Sequence, residues 1–232
     1  MRRKTFAAAV AATVALPAIA AGQTVTVIDN FTDGSFDPFN LTAGDGTPFE
    51  EQTQTGLSGV LGGTRTARLT DLESGSGPLS VAQIFTNPLG GRLTHSGGQG
   101  ARSELQLSYD PDPAFDARNG FFSLDIVPST GDQSFPSVDL TLTLTSGDGS
   151  SYGQTVTLLN NNETEFFQSS GFGDMGVDLA DIDQIDLTFV GEFEDTGYVV
   201  GNFAFTTGPV PTPGAAALLG LGGLAAARRR RG

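Results

Sequence analysis

The stretch "SVDLTLTLTSGDGSSYGQTVTLL" sets the strongest limit on what this chain can become. Val138, Leu140, Leu142 and Leu144 alternate with Asp139, Thr141, Thr143 and Thr145. A period of two places the first set on one face of a strand and the second on the other. A Gly/Asp/Ser cluster interrupts the pattern, and Val156 and Leu158 then resume it. This predicts a β-hairpin with one buried and one wet face. No segment holds an apolar 3.6-residue period over several turns. Short runs of β-branched and aromatic residues recur instead, separated by turns such as "GDGTP" and "SGSGP".

Further strands are expected at 24–28, 65–69, 80–85, 103–109, 120–126, 182–190 and 198–206. Ile185, Leu187, Phe189, Phe203 and Phe205 would line the core. The proline-broken "YDPDPAFDARNG" and the "NNNET" stretch read as loops. One short helical turn is expected within "DMGVDLADID", capped by Asp178. Many short strands with regular turns predict an all-β fold, a two-sheet antiparallel sandwich of jelly-roll type.

The ends of the chain read differently from its body. Residues 1–22 carry Arg2, Arg3 and Lys4, then an uncharged apolar run, then Ala18-Ile19-Ala20. This is the three-part form of a secretory signal peptide, with cleavage expected after Ala20 or Gly22. Arg2-Arg3 leaves both the general and the twin-arginine export routes open. The body, residues 23–207, is one domain. It holds five arginines against 26 acidic residues and no lysine, a net charge of −21 with His95 neutral. Such a surface repels nucleic acid and anionic lipid. The chain has no cysteine, so an exported body would depend on its core and not on disulfides.

Residues 208–232 form the other terminal segment. A Pro-rich piece, Val210-Pro211-Thr212-Pro213, leads through Gly214 into an apolar run that ends at Arg228, Arg229, Arg230 and Arg231. The 13 residues from Ala215 to Ala227 would span ~20 Å as a helix, short of the ~30 Å hydrocarbon core. The arginines would hold it on the cytoplasmic side as a transient stop. This order of parts resembles a PEP-CTERM sorting signal, the substrate of exosortase-type processing enzymes. Thr212 stands where that motif has glutamate. The resemblance implies a signal peptidase and an exosortase-like enzyme as partners and only transient membrane contact through a hydrophobic sorting helix. It also implies a final place in the envelope, at the surface or in the extracellular matrix of a Gram-negative-type cell, often within extracellular polysaccharide. A plain C-terminal anchor is the alternative.

A second resemblance lies in the body. "VIDNFTDGSFDPFN" and "VDLADIDQIDLTFVGEFEDTGYVVGNFAF" look like the two ends of galactose-binding-like jelly rolls. In those, Asp178-Leu179, Ile182, Ile185 and Leu187 would precede a final strand carrying Gly201-Asn202-Phe203, which pairs near the first strand.

Catalytic patterns are scarce. His95 is the sole histidine, so any Ser/His/Asp triad would have to use it, and no Gly-x-Ser-x-Gly stretch is present. Its place in "LTHSGGQGARSE" predicts a solvated loop residue. A glycosidase would need two facing carboxylates. Glu104, facing outward from its strand, is one candidate, with Glu50, Glu51, Glu163, Glu165, Glu192 and Glu194 as others. The chain lacks tryptophan and has three tyrosines, so the usual stacking platforms for sugars are few. Calcium is the one cofactor the sequence points to, through Asp29 and Asp33 beside Gly34 in "DNFTDGSFD". The function expected is a non-enzymatic structural or adhesive one. A carbohydrate-binding module with structural Ca²⁺ is the alternative, and a glycan-degrading enzyme stands behind it.

Overall fold

The computed structural model describes residues 23–32, 40–43, 48–73, 80–87, 90–96, 101–128, 138–158, 163–191 and 197–208. Thirteen strands follow one another: β1 (Val25–Asp29), β2 (Asn40–Ala43), β3 (Phe49–Thr55), β4 (Thr64–Glu73), β5 (Ser80–Asn87), β6 (Gly90–Ser96), β7 (Arg102–Tyr109), β8 (Gly120–Pro128), β9 (Val138–Ser146), β10 (Ser151–Leu158), β11 (Glu163–Gln168), β12 (Ile182–Gly191) and β13 (Gly197–Thr207). A single-turn helix α1 (Ser169–Gly173) follows β11, and a 3-10 turn covers Leu61–Gly63.

The strands form two antiparallel sheets. One has six strands in the order β10-β9-β12-β7-β4-β3. The other runs β11-β8-β13-β6-β5-β2, with β1 also on β13. This is the two-sheet sandwich that the alternation requires. The hairpin β9–β10 pairs without a break from Val138–Leu158 to Thr145–Ser151. Along β9 the burial alternates residue by residue, with Val138, Leu140, Leu142 and Leu144 fully enclosed. The same phase holds on β7, where Ser103, Leu105, Leu107 and Tyr109 point in. Ile185, Leu187 and Phe189 meet Phe203 and Phe205 in one continuous core. Aromatic rings pack edge to face along the inner side of the seven-stranded sheet, as in Phe115 on Phe205 at 5.2 Å.

Strand β13 organises its sheet. Its first half pairs β6, from Gly197–Ser96 to Val200–Leu93, and its second half pairs β1, from Phe203–Asp29 to Thr206–Val25. β6 and β1 therefore lie end to end along one side of β13. Gly91 sits at this junction. A Cβ built there would stand 1.7 Å from the Phe31 carbonyl oxygen, so only glycine fits without a backbone shift. The first and last strands are neighbours, as the jelly-roll resemblance implies. The Thr24 amide donates to Thr207 Oγ1 at 2.8 Å, and the Thr207 amide to the Thr24 carbonyl at 2.9 Å. Thr24 and Thr207 thus lie side by side.

Four strands have no counterpart among those expected: β2, β3, β6 and β11. β3 and β11 are sheet edges, and β3 is partly wet on both sides, which removes the apolar alternation. β6 opens with two glycines and buries a histidine. The expected helical turn is corrected in part. Asp178 Oδ1 does accept the Ala180 amide at 3.0 Å, but the turn is brief and Ile182 already begins β12. The helix lies earlier, at Ser169–Gly173, where two glycines obscure it in the sequence.

Candidate functional site

Three polar groupings stand out, two inside the sandwich and one on its surface. The first interior group centres on Asp29, where β1 ends. Asp29 Oδ2 accepts from Arg65 Nη1 at 2.6 Å and from the Tyr109 hydroxyl at 3.1 Å. Asp29 Oδ1 accepts the Phe31 amide at 2.7 Å, and Phe31 takes a left-handed backbone with φ of 53°. Arg65 Nη2 reaches Gln54 Oε1 at 2.6 Å, and the guanidinium lies 5.8 Å from the Phe31 ring centre. Both charged side chains are fully buried. Burial pushes the Asp29 carboxyl above its usual range, opposed by Arg65, the Phe31 amide and Tyr109. The group joins β1 of one sheet to β3, β4 and β7 of the other.

Asp29 is therefore occupied in a way the calcium expectation did not foresee. Both of its oxygens face donors, one of them cationic. Asp33 lies outside the described residues. Among those residues no group of three or more His, Asp or Glu side chains converges. The network itself was legible in principle. Arg65 is in phase with Ala67 and Leu69, and Tyr109 with Leu105 and Leu107, which marks both as inward-facing polar residues.

The second interior group corrects the reading of His95. It is a strand residue on β6, 3% exposed, and not a solvated loop histidine. Its Nε2 lies 2.8 Å from Ser103 Oγ on the opposite sheet. Its ring sits 4.8 Å from that of Tyr198, which stacks on Phe189 at 4.9 Å. Burial lowers the His95 pKa to about 4. The pair places a serine on a histidine, yet Ser103 is equally enclosed and His95 Nδ1 has no hydrogen-bond partner. A hydrolytic triad needs an open nucleophile and a carboxylate on that second nitrogen. This arrangement is a closed core contact.

The third grouping is the outer face of the six-stranded sheet. Register places the outward residues in rows across the strands. One row runs Thr53, Thr66, Ser108, Asp186, Thr143, Gly153. The next runs Glu51, Arg68, Gln106, Thr188, Thr141, Thr155. At ~4.8 Å per strand, six strands make a surface about 24 Å across. Its hydroxyls are ordered by pairing: Thr53 with Thr66 at 2.9 Å, Thr141 with Thr155 at 2.8 Å, Thr145 with Ser151 at 2.9 Å. Asp186 sits near the middle, only 9% exposed, and is held by three neighbours. Ser108 Oγ donates to Oδ1 at 2.5 Å, Gln184 Nε2 at 3.2 Å and Gln106 Nε2 at 3.5 Å. At one margin Arg68 stacks on the half-exposed Phe49 ring at 4.2 Å.

Glu104 does face outward on this surface. Register sets it between Thr70 and Val190, so no carboxylate stands directly across from it on either neighbouring strand. Glu50 and Glu51 lie on β3, Glu163 and Glu165 on β11. Glu192 and Glu194 fall outside the described residues, as do the processing positions Ala20, Gly22, Val210, Pro211, Thr212, Pro213, Gly214 and Arg228–Arg231. Among the described residues no helix is long and apolar enough to cross a membrane. Two of the three tyrosines, Tyr109 and Tyr198, are fully buried, and among the described residues Phe49 is the large exposed ring.

No family model matches this chain, and no curated protein does. Solved structures do. The family 11 carbohydrate-binding module of a cellulosomal cellulase of Clostridium thermocellum is 14% identical, with a TM-score of 0.40, over 82% of this chain and 98% of that one. The family 30 module of a second cellulosomal cellulase of the same organism is 10% identical, with a TM-score of 0.42, over 82% and 99%. An agarase is 9% identical, with a TM-score of 0.41, and this chain spans 26% of its length. These are likenesses of architecture.

Two outcomes follow from the interior groups. Arg65→Met leaves a buried carboxylate unpaired and is expected to cost ~3–5 kcal/mol in urea unfolding. Adding Asp29→Asn is expected to cost less than the sum of the two single changes, by about 1–3 kcal/mol. Additive effects would show that the pair does not couple. His95 binds a proton near pH 6.5 when unfolded and only at about 4 when folded. Its contribution is complete above pH 6.5 and lost as pH falls toward 4, about 3 kcal/mol in all. His95→Gln is expected to flatten that part of the stability–pH curve, and an unchanged slope would contradict the assignment.

Proposed function

We propose that this chain is an exported cell-surface or extracellular-matrix protein with a structural or adhesive role, exercised by holding extracellular polysaccharide against the outer face of the six-stranded sheet. The observation that carries the reading is that face. A polysaccharide presents rows of hydroxyls that both donate and accept. The sheet presents rows of threonine, serine and glutamine groups already fixed by their neighbours, so little side-chain entropy is lost on contact. Asp186, buried at the centre of this face, holds the Ser108, Gln106 and Gln184 side chains in place, so that these groups stand pre-oriented for the hydroxyls of a sugar. Phe49 adds apolar ring surface for a sugar at the margin.

Location rests on the sequence of the two ends. The signal-peptide form of residues 1–22 and the PEP-CTERM-like order of residues 208–232 support export followed by processing near Pro211–Gly214.

Asp186→Ala is expected to weaken binding of neutral polysaccharide about tenfold, because it releases the Ser108, Gln106 and Gln184 groups that it holds, at ~0.5–1.5 kcal/mol per hydrogen bond lost to the ligand. The check is a glycan array followed by calorimetry, with Thr164→Ala on the opposite sheet as a control that changes little. A blank array, or equal losses for the two variants, would refute the binding face. Intact-mass spectrometry of protein recovered from its native envelope tests the route. The mature form is expected to lack both the first 20–22 residues and Arg228–Arg231. Retention of those arginines would contradict the sorting assignment.

A further inference from the structure

Asn119-Gly120 is the one Asn-Gly pair in the sequence, and the fold constrains both of its residues. It lies where the loop before β8 meets the end of β13. Asn119 is exposed and left-handed, with φ of 57°, a backbone that asparagine tolerates better than most residues. Gly120 pairs with Thr207, and a Cβ built on it would collide with the Thr206 carbonyl oxygen and the Phe205 ring. The corner is clamped from two sides. Ser169, buried at the start of α1, donates its hydroxyl to the Gly120 carbonyl at 2.9 Å and accepts the Gly120 amide at 3.2 Å. The Gly208 amide donates to the Asn119 carbonyl at 2.6 Å.

We propose that Asn119 is a site of self-modification, where the side-chain amide is lost through a cyclic imide at a rate set by the Ser169 clamp. In the reacting step the Gly120 amide nitrogen gives its proton to solvent base and attacks Asn119 Cγ. A new N–C bond forms, the bond from Cγ to the side-chain nitrogen breaks, and ammonia leaves. Water then opens the imide at either carbonyl, giving aspartate or isoaspartate. One water is consumed for each ammonia released, and no oxidant or cofactor takes part. Steric cover selects this asparagine, because a following glycine shields the attacking nitrogen least. Asn30 and Asn202 each precede a phenylalanine, and Asn30 Oδ1 is also held by the Thr32 amide and hydroxyl. The contacts that demand the Asn-Gly pair also restrain it. To reach Cγ, the Gly120 nitrogen must turn out of its hydrogen bond to Ser169, so the corner opens locally before the ring closes. Isoaspartate would then lengthen the main chain by a methylene beside the Gly120–Thr207 pair and loosen the end of β13. Either product adds a carboxylate to a body already rich in them.

Peptide mapping of the full-length chain, aged at mildly alkaline pH and scored for isoaspartate with an isoaspartyl methyltransferase, tests this. Among Asn30, Asn119 and Asn202, Asn119 is expected to convert first, to both products, at a rate proportional to hydroxide. Ser169→Ala is expected to convert about fivefold faster, the worth of about one lost hydrogen bond. The wild-type chain unfolded in urea is expected to convert at least about tenfold faster than the folded chain, since local opening no longer limits it. That comparison stands on its own if Ser169→Ala folds poorly. Conversion of Asn30 or Asn202 ahead of Asn119, or an Asn119 that stays intact, would overturn the proposal. So would a folded Ser169→Ala that converts at the wild-type rate, or a folded wild-type chain that converts as fast as the unfolded one.

Discussion

The ion pair between Asp29 and Arg65 is the contact on which the rest of the sandwich depends. It is buried, it crosses between the sheets, and Tyr109, Gln54 and the Phe31 amide complete it. Apolar packing alone would accept several placements of the short strand β1. A fully desolvated carboxylate accepts only the one that returns its partners, because an unpaired charge there is costly. Fixing Asp29 fixes β1 on the second half of β13. Phe31 then turns back against Gly91, where β6 takes over the same side of β13.

With β1 and β13 paired to their ends, Thr24 and Thr207 stand side by side. His95 and Ser103 touch, but they are sealed between the sheets with Tyr198 and Phe189. The groups available to a ligand are those the alternation turned outward, and on the six-stranded sheet these form rows of hydroxyl and amide groups, several of them fixed by the buried Asp186 carboxylate. An inward stripe of leucines and an outward stripe of threonines are two products of one period-two pattern.

Most of the architecture was legible from that pattern. The β9–β10 hairpin, the core positions of β12 and β13, and the pairing of first and last strands all follow from alternation or from the resemblance at the two ends. The strands that escaped notice share a physical cause. β3, wet on both sides, has no buried face to reveal it, and β6 buries a glycine and a histidine where apolar residues were sought. His95 misled because polarity and flanking glycines suggested a loop, while burial depended on Ser103 across in the facing sheet and on Tyr198 of β13. The pairing of Asp29 was equally invisible in the sequence, since the fold alone brings Arg65, 36 residues away, beside it. The surface rows around Asp186 were invisible for want of register: each strand shows its threonines, but only pairing sets Ser108, Gln106 and Gln184 around one carboxylate.

The central claim is that the outer face of the six-stranded sheet, and not its loops or the other sheet, meets polysaccharide. Backbone amide chemical shifts of the labelled protein, followed while a neutral oligosaccharide is added, test it most directly. The account predicts perturbations clustered on alternate residues of β7, β9 and β12, with Ser108, Thr143, Asp186 and Thr188 among the largest. Perturbations centred on the outward residues of β8 and β13, or none at saturating oligosaccharide, would contradict it.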